Sequence, residues 1–254
     1  MSRFRYVILP RLLLALSALA LLAALFLLWL SLERPLPSIA LACRQAGPAN
    51  CFTGGEVIAS GPIRLNYAEP DADAWAVLRS GDQYAMTNLK RTAGVLWTVP
   101  QFSLALFSLE DGQQLFPCPT GSFPYYFYRE GTDSWGGPYF EPEIDWEIIP
   151  LAICTNPSVV RLEGEVLWLG FSEDPQEALA QRGVSISWSS AGNGVWVGEP
   201  VLTSLPTEPD GSSGGTRSIW LRGYDAGGNL VCSYDPTASP FFDSIVSQFM
   251  VCSP

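Results

Sequence analysis

Leu12–Leu32 is a run of 21 residues without a charge, interrupted in polarity only by Ser17 and Ser31. At ~1.5 Å per residue a helix over it is about 31 Å long, the thickness of a bilayer's hydrocarbon core. Pro10 suits the first turn of such a helix, and Trp29 falls where an interfacial aromatic belt would sit. Arg3, Arg5 and Arg11 precede the run and no acidic residue does, so the excess of positive charge places the N-terminus in the cytoplasm. The expected layout is a basic cytoplasmic N-terminus over 1–11, a transmembrane helix over 12–32 and a stalk over 33–42 extended by Pro35 and Pro37. Ten residues at ~3.1 Å each reach at most about 30 Å, which holds the rest of the chain close to the outer face.

Two other fates for this segment are weaker. Ala40-Leu41-Ala42 has the small-x-small form of a signal peptidase site, but the apolar run exceeds a signal peptide's core of roughly 7–15 residues. Glu33-Arg34-Pro35-Leu36-Pro37 also separates the run from that site. Lipid modification at Cys43 would need a better lipobox, nearer the run, than Ala40-Leu41-Ala42-Cys43.

Charge and composition exclude several function classes. Three of the 14 basic residues lie before the run, so the remainder carries 11 basic against 25 acidic residues. Such a surface repels phosphate backbones, and no nucleic-acid partner is expected. The chain has no His, which removes Ser–His–acid triads, Cys–His dyads and ordinary zinc sites. A Ser–Lys dyad would have to use Lys90, the single lysine, which stands beside Arg91 in a polar stretch and reads as a surface residue. No phosphate loop, dinucleotide fingerprint or CxxC pair is present, and no cofactor is expected.

All six cysteines, Cys43, Cys51, Cys118, Cys154, Cys232 and Cys252, follow the apolar run. An even number in an oxidising compartment reads as disulfides, with 15 possible connectivities. An internal repeat narrows them. Ser103–Cys118 and Ser218–Cys232 each read as an alternating apolar strand, an acidic Gly turn and a short strand ending in Cys. Ile149–Pro157 is similar to Ser247–Pro254, and Tyr67–Pro70 to Phe171–Pro175. The three landmarks recur in the same order, as two copies of one domain would. Equivalent cysteines should then pair equivalently, giving Cys118–Cys154 and Cys232–Cys252, with Cys43–Cys51 left as a local loop.

Alternating strand patterns fill the region after the stalk: Val57–Ser60, Ile63–Tyr67, Trp75–Leu78, Val166–Gly170, Val184–Trp188 and Val195–Val197. Turn signals at Ser80-Gly81, Asp111-Gly112, Gly192-Asn193-Gly194 and Gly227-Gly228-Asn229 separate them. Gln176–Gln181 fits one helical turn, and no long helix is expected outside the membrane. The predicted fold is mainly β: one transmembrane helix, then two related antiparallel β-sandwich units with disulfides, over 43–156 and 157–254.

Two segments of the second unit, Ser187–Trp196 around Gly192-Asn193-Gly194 and Ile219–Asn229 ending Asp225-Ala226-Gly227-Gly228-Asn229, resemble bacterial immunoglobulin-like and fibronectin type III modules. Such modules carry a Trp-flanked Gly turn and a late hairpin of this kind. The resemblance spans about 45 residues and implies a sandwich with a role in adhesion or spacing. It assigns no site, since fold does not fix function.

The spacing between the presumed partners differs between copies, and the longer interval, Cys118 to Cys154, holds an aromatic insertion. Tyr125, Tyr126, Tyr128, Trp135, Tyr139 and Phe140 are the candidate ligand- or partner-binding residues, because aromatics on a loop dock proteins, stack on sugars or meet a membrane interface. The plainer reading is that they fold inward and cap the core. Glu141, Glu143, Asp145 and Glu147 alternate with Pro142, Ile144, Trp146 and Ile148, which puts four carboxylates on one face of a half-buried strand and points that face to solvent. Glu141, Glu143 and Asp145 are weak calcium candidates. A glycosidase pair needs opposed carboxyls across a cleft, which one strand face does not supply.

The expected function is a non-catalytic, membrane-anchored extracytoplasmic binding or accessory subunit of a cell-envelope complex. Its partners would be the membrane, through 12–32, and an envelope protein. The alternative is an envelope carbohydrate-binding protein or a His-free glycosidase, which requires coplanar exposed rings or facing carboxylates.

Overall fold

Alternation of apolar side chains on both faces of the strands produces a stack of three β layers with a short helix on each outer side. The computed structural model describes residues 9–31, 35–47, 52, 54–92, 94–100, 104–108, 113–118, 122–132, 138–170, 173–204 and 215–237. Helix α1 (Leu9–Ser31) and helix α2 (Ile39–Ala46) precede the sheets. The first sheet, β1 (Glu56–Pro62), β2 (Ala74–Ser80), β3 (Gln83–Thr92) and β4 (Leu96–Thr98), runs in that order, with β5 (Leu104–Ser108) paired to β3. The remaining strands are β6 (Leu115–Cys118), β7 (Ser122–Thr132), β8 (Pro138–Ile148), β9 (Leu151–Cys154), β10 (Arg161–Leu169), β11 (Val184–Gly192), β12 (Val195–Gly198), β13 (Val201–Ser204), β14 (Thr216–Tyr224) and β15 (Leu230–Tyr234), with helix α3 (Pro175–Arg182) before β11. They form a seven-stranded sheet, β15-β14-β10-β11-β12-β9-β6, and a three-stranded one, β13-β8-β7. Every pairing is antiparallel.

The seven-stranded sheet folds over at β11. Its first half, Val184–Ser187, pairs with β10, and its second, Trp188–Gly192, pairs with β12. Strands that switch partners this way turn the corner of a sandwich. The half β12-β9-β6 therefore becomes the middle layer. On one side Leu151, Ile153, Phe116 and Val195 pack against Trp75, Val77, Tyr84 and Met86 of the first sheet. On the other, Ala152, Cys154, Leu115 and Trp196 pack against Leu162, Val166, Ile219 and Leu221. β9 is buried at all four of its residues because it is covered on both faces.

The outer faces are closed by helices. Ala42 and Cys43 of α2, with Phe52, cover Ala74, Ala76, Leu78 and Leu89. Ala178 and Leu179 of α3 cover Leu167, Leu169 and Trp220. α3 starts at Asp174, whose side chain accepts from Gln176 and Glu177 N–H, with Pro175 next.

Several expectations are corrected. The stalk is not a free extended spacer. Leu36 exchanges backbone hydrogen bonds with Trp97, at 2.8 and 2.7 Å, and Ser38 caps α2 through Leu41 N–H. Ala40-Leu41-Ala42 and Cys43 are thus helical, and Cys43 is fully buried. Ile63–Tyr67 is not a strand, because its end is wrapped around a carboxylate described below. Ser103–Cys118 is not a hairpin: β5 pairs with β3 while β6 pairs with β9. The late counterpart, β14–β15, does form a hairpin. The division at 156/157 runs through one sheet and two shared cores, since β12 pairs with β9.

α1 forms over the apolar run. Its described leucines, including Leu14, Leu19, Leu22 and Leu25, are 52–74% exposed on all sides. Among the described residues no helix is long and apolar enough to cross a membrane; the side chains described within α1 are those from Arg11 to Leu25, with Leu28 and Trp29.

Candidate functional site

β7 and β8 build the only long hairpin of the three-stranded sheet among the described residues, with Ser122↔Ile148 at one end and Thr132↔Pro138 at the other. Adjacent residues point to opposite faces, and the aromatic candidates divide accordingly. Phe123 is buried in the core and Tyr125 is half-buried against it. Tyr125 also meets the ring of Tyr67, with centroids 5.7 Å apart and planes inclined at 52°. Tyr126 lies on the other face, 66% exposed, directly opposite Ile144, which is 43% exposed. A tyrosine and an isoleucine paired across a ladder form a small apolar patch open to solvent. Farther along this face Trp146 contacts Trp168 at 6.4 Å, and Trp168 Nε1 donates to Thr203 Oγ1, 2.8 Å away.

Tyr128, Tyr139 and Phe140 sit in the ladder opposite Pro142, Gly131 and Glu130, but their side chains, like those of Glu141 and Glu143, lie outside the description, as does all of Trp135. Asp145 is half-buried opposite Tyr125 and Ser204. No cluster of three metal-ligating side chains occurs among the described residues.

The solvated acidic face expected on β8 is overturned at Glu147. Its side chain is fully buried. Oε1 accepts from Asn66 N–H at 2.6 Å, and Oε2 accepts from Tyr67 and Ala68 N–H, both at 2.8 Å. Three backbone donors thus converge on one carboxylate, and the loop they belong to carries Tyr67 onto Tyr125. Glu147 therefore positions the aromatic surface from beneath. The signal for this was absent from strand periodicity, which places Glu147 on a face without saying what covers it.

A cleft of about 560 Å³ lies at a second place, where the first sheet meets the β11–β12 turn. Gly54, Glu56, Val57, Arg79, Gly81 and Asn193 line it. β1 carries a bulge at Ile58, between Val57 and Ala59, and the carbonyl of Ile58 accepts from Asn193 Nδ2 at 2.7 Å. Asn193 and Gly194 have φ of 51° and 77°, the mirror-image turn that an Asn-Gly pair favours. Glu56 and Arg79 face each other in register, and the Arg79 guanidinium is held by Gly81 O and the Tyr84 ring. Among the described residues one carboxylate, Glu56, and one hydroxyl, Ser80, line this cleft, so it offers no opposed pair of carboxyls.

The cysteines are placed differently from the repeat-based pairing. Cys43, Cys118, Cys154 and Cys232 are all unbridged. Cys118 pairs in register with Leu151, and Cys154 with Leu115. Cys118 points into the first core and Cys154 into the second, so the middle layer separates them and they cannot bridge. Burial pushes the Cys118 thiol well above the ordinary range and the Cys43 thiol to about 12. Cys51 and Cys252 lie outside the described residues.

Comparison with family models, with curated proteins and with solved structures found no match.

Proposed function

We propose that this chain is a membrane-anchored, extracytoplasmic, non-catalytic binding or accessory subunit of a cell-envelope complex. One observation carries the reading: the described leucines of α1 face every side of the helix and each is more than half exposed. A helix apolar all round requires apolar surroundings, and lipid supplies them for a run of this length. The three arginines before it orient the β domain outward. Trp29 Nε1 donates to Pro35 O at 3.1 Å, which ties the end of the helix to the segment docked on the β domain and keeps that domain near the bilayer.

The partner face in this reading is the hairpin β7–β8, with Tyr126 and Ile144 at its exposed centre and Tyr67 and Tyr125 on the reverse. The likeness to bacterial immunoglobulin-like and fibronectin type III modules belongs to the same proposal. The segments that carry it, β11–β12 and β14–β15, are both antiparallel pairs within one sheet. A sugar platform is less well supported, since Tyr67 and Tyr125 are inclined rather than coplanar.

The test uses native membranes. A photo-crosslinking residue at position 126 is expected to give a reproducible protein adduct, and Tyr126→Asp with Ile144→Asp is expected to reduce co-purification of that partner at least tenfold without releasing the chain from the membrane. Absence of any reproducible adduct, together with wild-type behaviour of the double variant, would refute the docking face. Release of the full chain by alkaline carbonate would refute the anchor.

A further inference from the structure

We propose that Cys154 and Cys232 form an intramolecular disulfide, a covalent staple between the middle layer and the outermost strand β15. Neither the repeat nor the residue count selects this pair. The fold brings them together. Cys154 ends β9 with its side chain in the second core, and Cys232 lies on β15 packed against that same core. The two thiols are close enough to perturb one another, while Cys154 Sγ donates to Asn156 O at 3.6 Å. Cys232 stands in register with Gly223 of β14, where a side chain larger than hydrogen would come within 2.7 Å of Cys232 Sγ. The same position faces Val159, on the segment that leaves β9 and joins β14 through Val160 N–H to Tyr224 O at 2.9 Å. Gly223 therefore leaves room beside Cys232 Sγ, and closing the bond brings the two sulfurs to about 2.05 Å.

The oxidant is a disulfide of low molecular weight or of an oxidoreductase. Cys232, half-buried and the more accessible of the two, loses its proton and attacks one sulfur of the donor, expelling the other as a thiolate. The resulting mixed disulfide is attacked at Cys232 Sγ by the Cys154 thiolate, which expels the second donor thiolate. The protein loses two hydrogens and the donor disulfide is reduced to two thiols. Desolvation, followed by the neighbouring Cys154, pushes the Cys232 thiol up to about 12, and desolvation also raises Cys154. The reduced pair gains nothing from ionisation, so the bond is a structural one that exchanges slowly, unlike a redox-active pair with low thiol pKa values.

The pairing does not rest on the membrane placement, and one protocol separates the two. Full-length protein in detergent is reduced, exposed to oxidised glutathione, quenched with iodoacetamide, digested without reduction and mapped by mass spectrometry. The expected product is one cross-linked peptide pair containing Cys154 and Cys232, two hydrogens lighter than its separate peptides, with Cys118 alkylated only after unfolding. Cys252→Ser is expected to leave the cross-link intact. Alkylation of both Cys154 and Cys232, or linkage of Cys232 to Cys252 or of Cys154 to Cys118, would overturn the proposal. Protein quenched directly from cells reports on placement: a bond that forms with glutathione disulfide yet is absent in cells upholds the pairing and counts against an oxidising location.

Discussion

Replacing Glu147 by Gln keeps the shape of the side chain and removes one acceptor. In the wild type, Oε2 serves Tyr67 and Ala68 while Oε1 serves Asn66. The amide can keep its oxygen toward the pair of donors, which turns its NH2 toward the N–H of Asn66 and sets two donors against each other. A hydrogen bond to a charged group contributes about 1.5–3 kcal/mol and a neutral one about 1 kcal/mol. Losing one charged bond and weakening two, offset in part by no longer burying a charge, gives a net cost of about 2–4 kcal/mol. That is a large fraction of a typical total of about 5–15 kcal/mol. With a urea m-value of ~2 kcal/mol/M the unfolding midpoint falls by about 1–2 M. Tryptophan fluorescence of full-length protein in detergent follows the transition. An E147Q midpoint within about 0.3 M of wild type would show that the carboxylate is not what organises residues 66–68.

Gly194→Ala is expected to cost about 1–3 kcal/mol, because φ there is 77° and the new methyl would lie 2.5 Å from Cys154 O. Gly192→Ala, at φ 91° with nothing within 4 Å, is expected to cost less, and equal thermal shifts for the two would remove the close-contact explanation. Asp225 accepts from the Asn229 side chain and backbone, which hold its carboxyl below the usual range. Its contribution is therefore fully present above the unfolded value of ~3.9 and is lost as the pH falls through the lower folded value. NMR titration should place the Asp225 midpoint below ~3.9 and show it rising in Asn229→Ala; no rise would refute the cause.

Much of the β architecture was legible where periodicity is sharp. Val57–Ser60, Trp75–Leu78, Val184–Trp188 and Val195–Val197 all lie in strands, and the Asn193–Gly194 turn forms as its φ preferences require. What escaped depends on contacts between distant residues. The run Ile63–Tyr67 has a strand's alternation, yet its backbone donors find a better acceptor in Glu147 than in a neighbouring strand. Leu104–Ser108 and Leu115–Cys118 look like two arms of a hairpin, but they pair elsewhere, with β3 and with β9. Thiol pairing failed for the same reason: spacing along the chain says nothing about which face of β9 a cysteine occupies. Ser38 ahead of Ile39 and Leu41 was a readable helix start, obscured by the two prolines before it.

The middle layer also fixes the order of events during synthesis. β9 is flanked by β6, which precedes it, and by β12, which follows it by about 40 residues. The ribosome delivers the first sheet long before its inner wall is complete, so the cover over Trp75, Val77 and Met86 stays unfinished until Val195 of β12 emerges. Such late closure slows folding and lengthens exposure to aggregation. A gene truncated anywhere before β12 is expected to yield not a smaller working version but a chain that never settles.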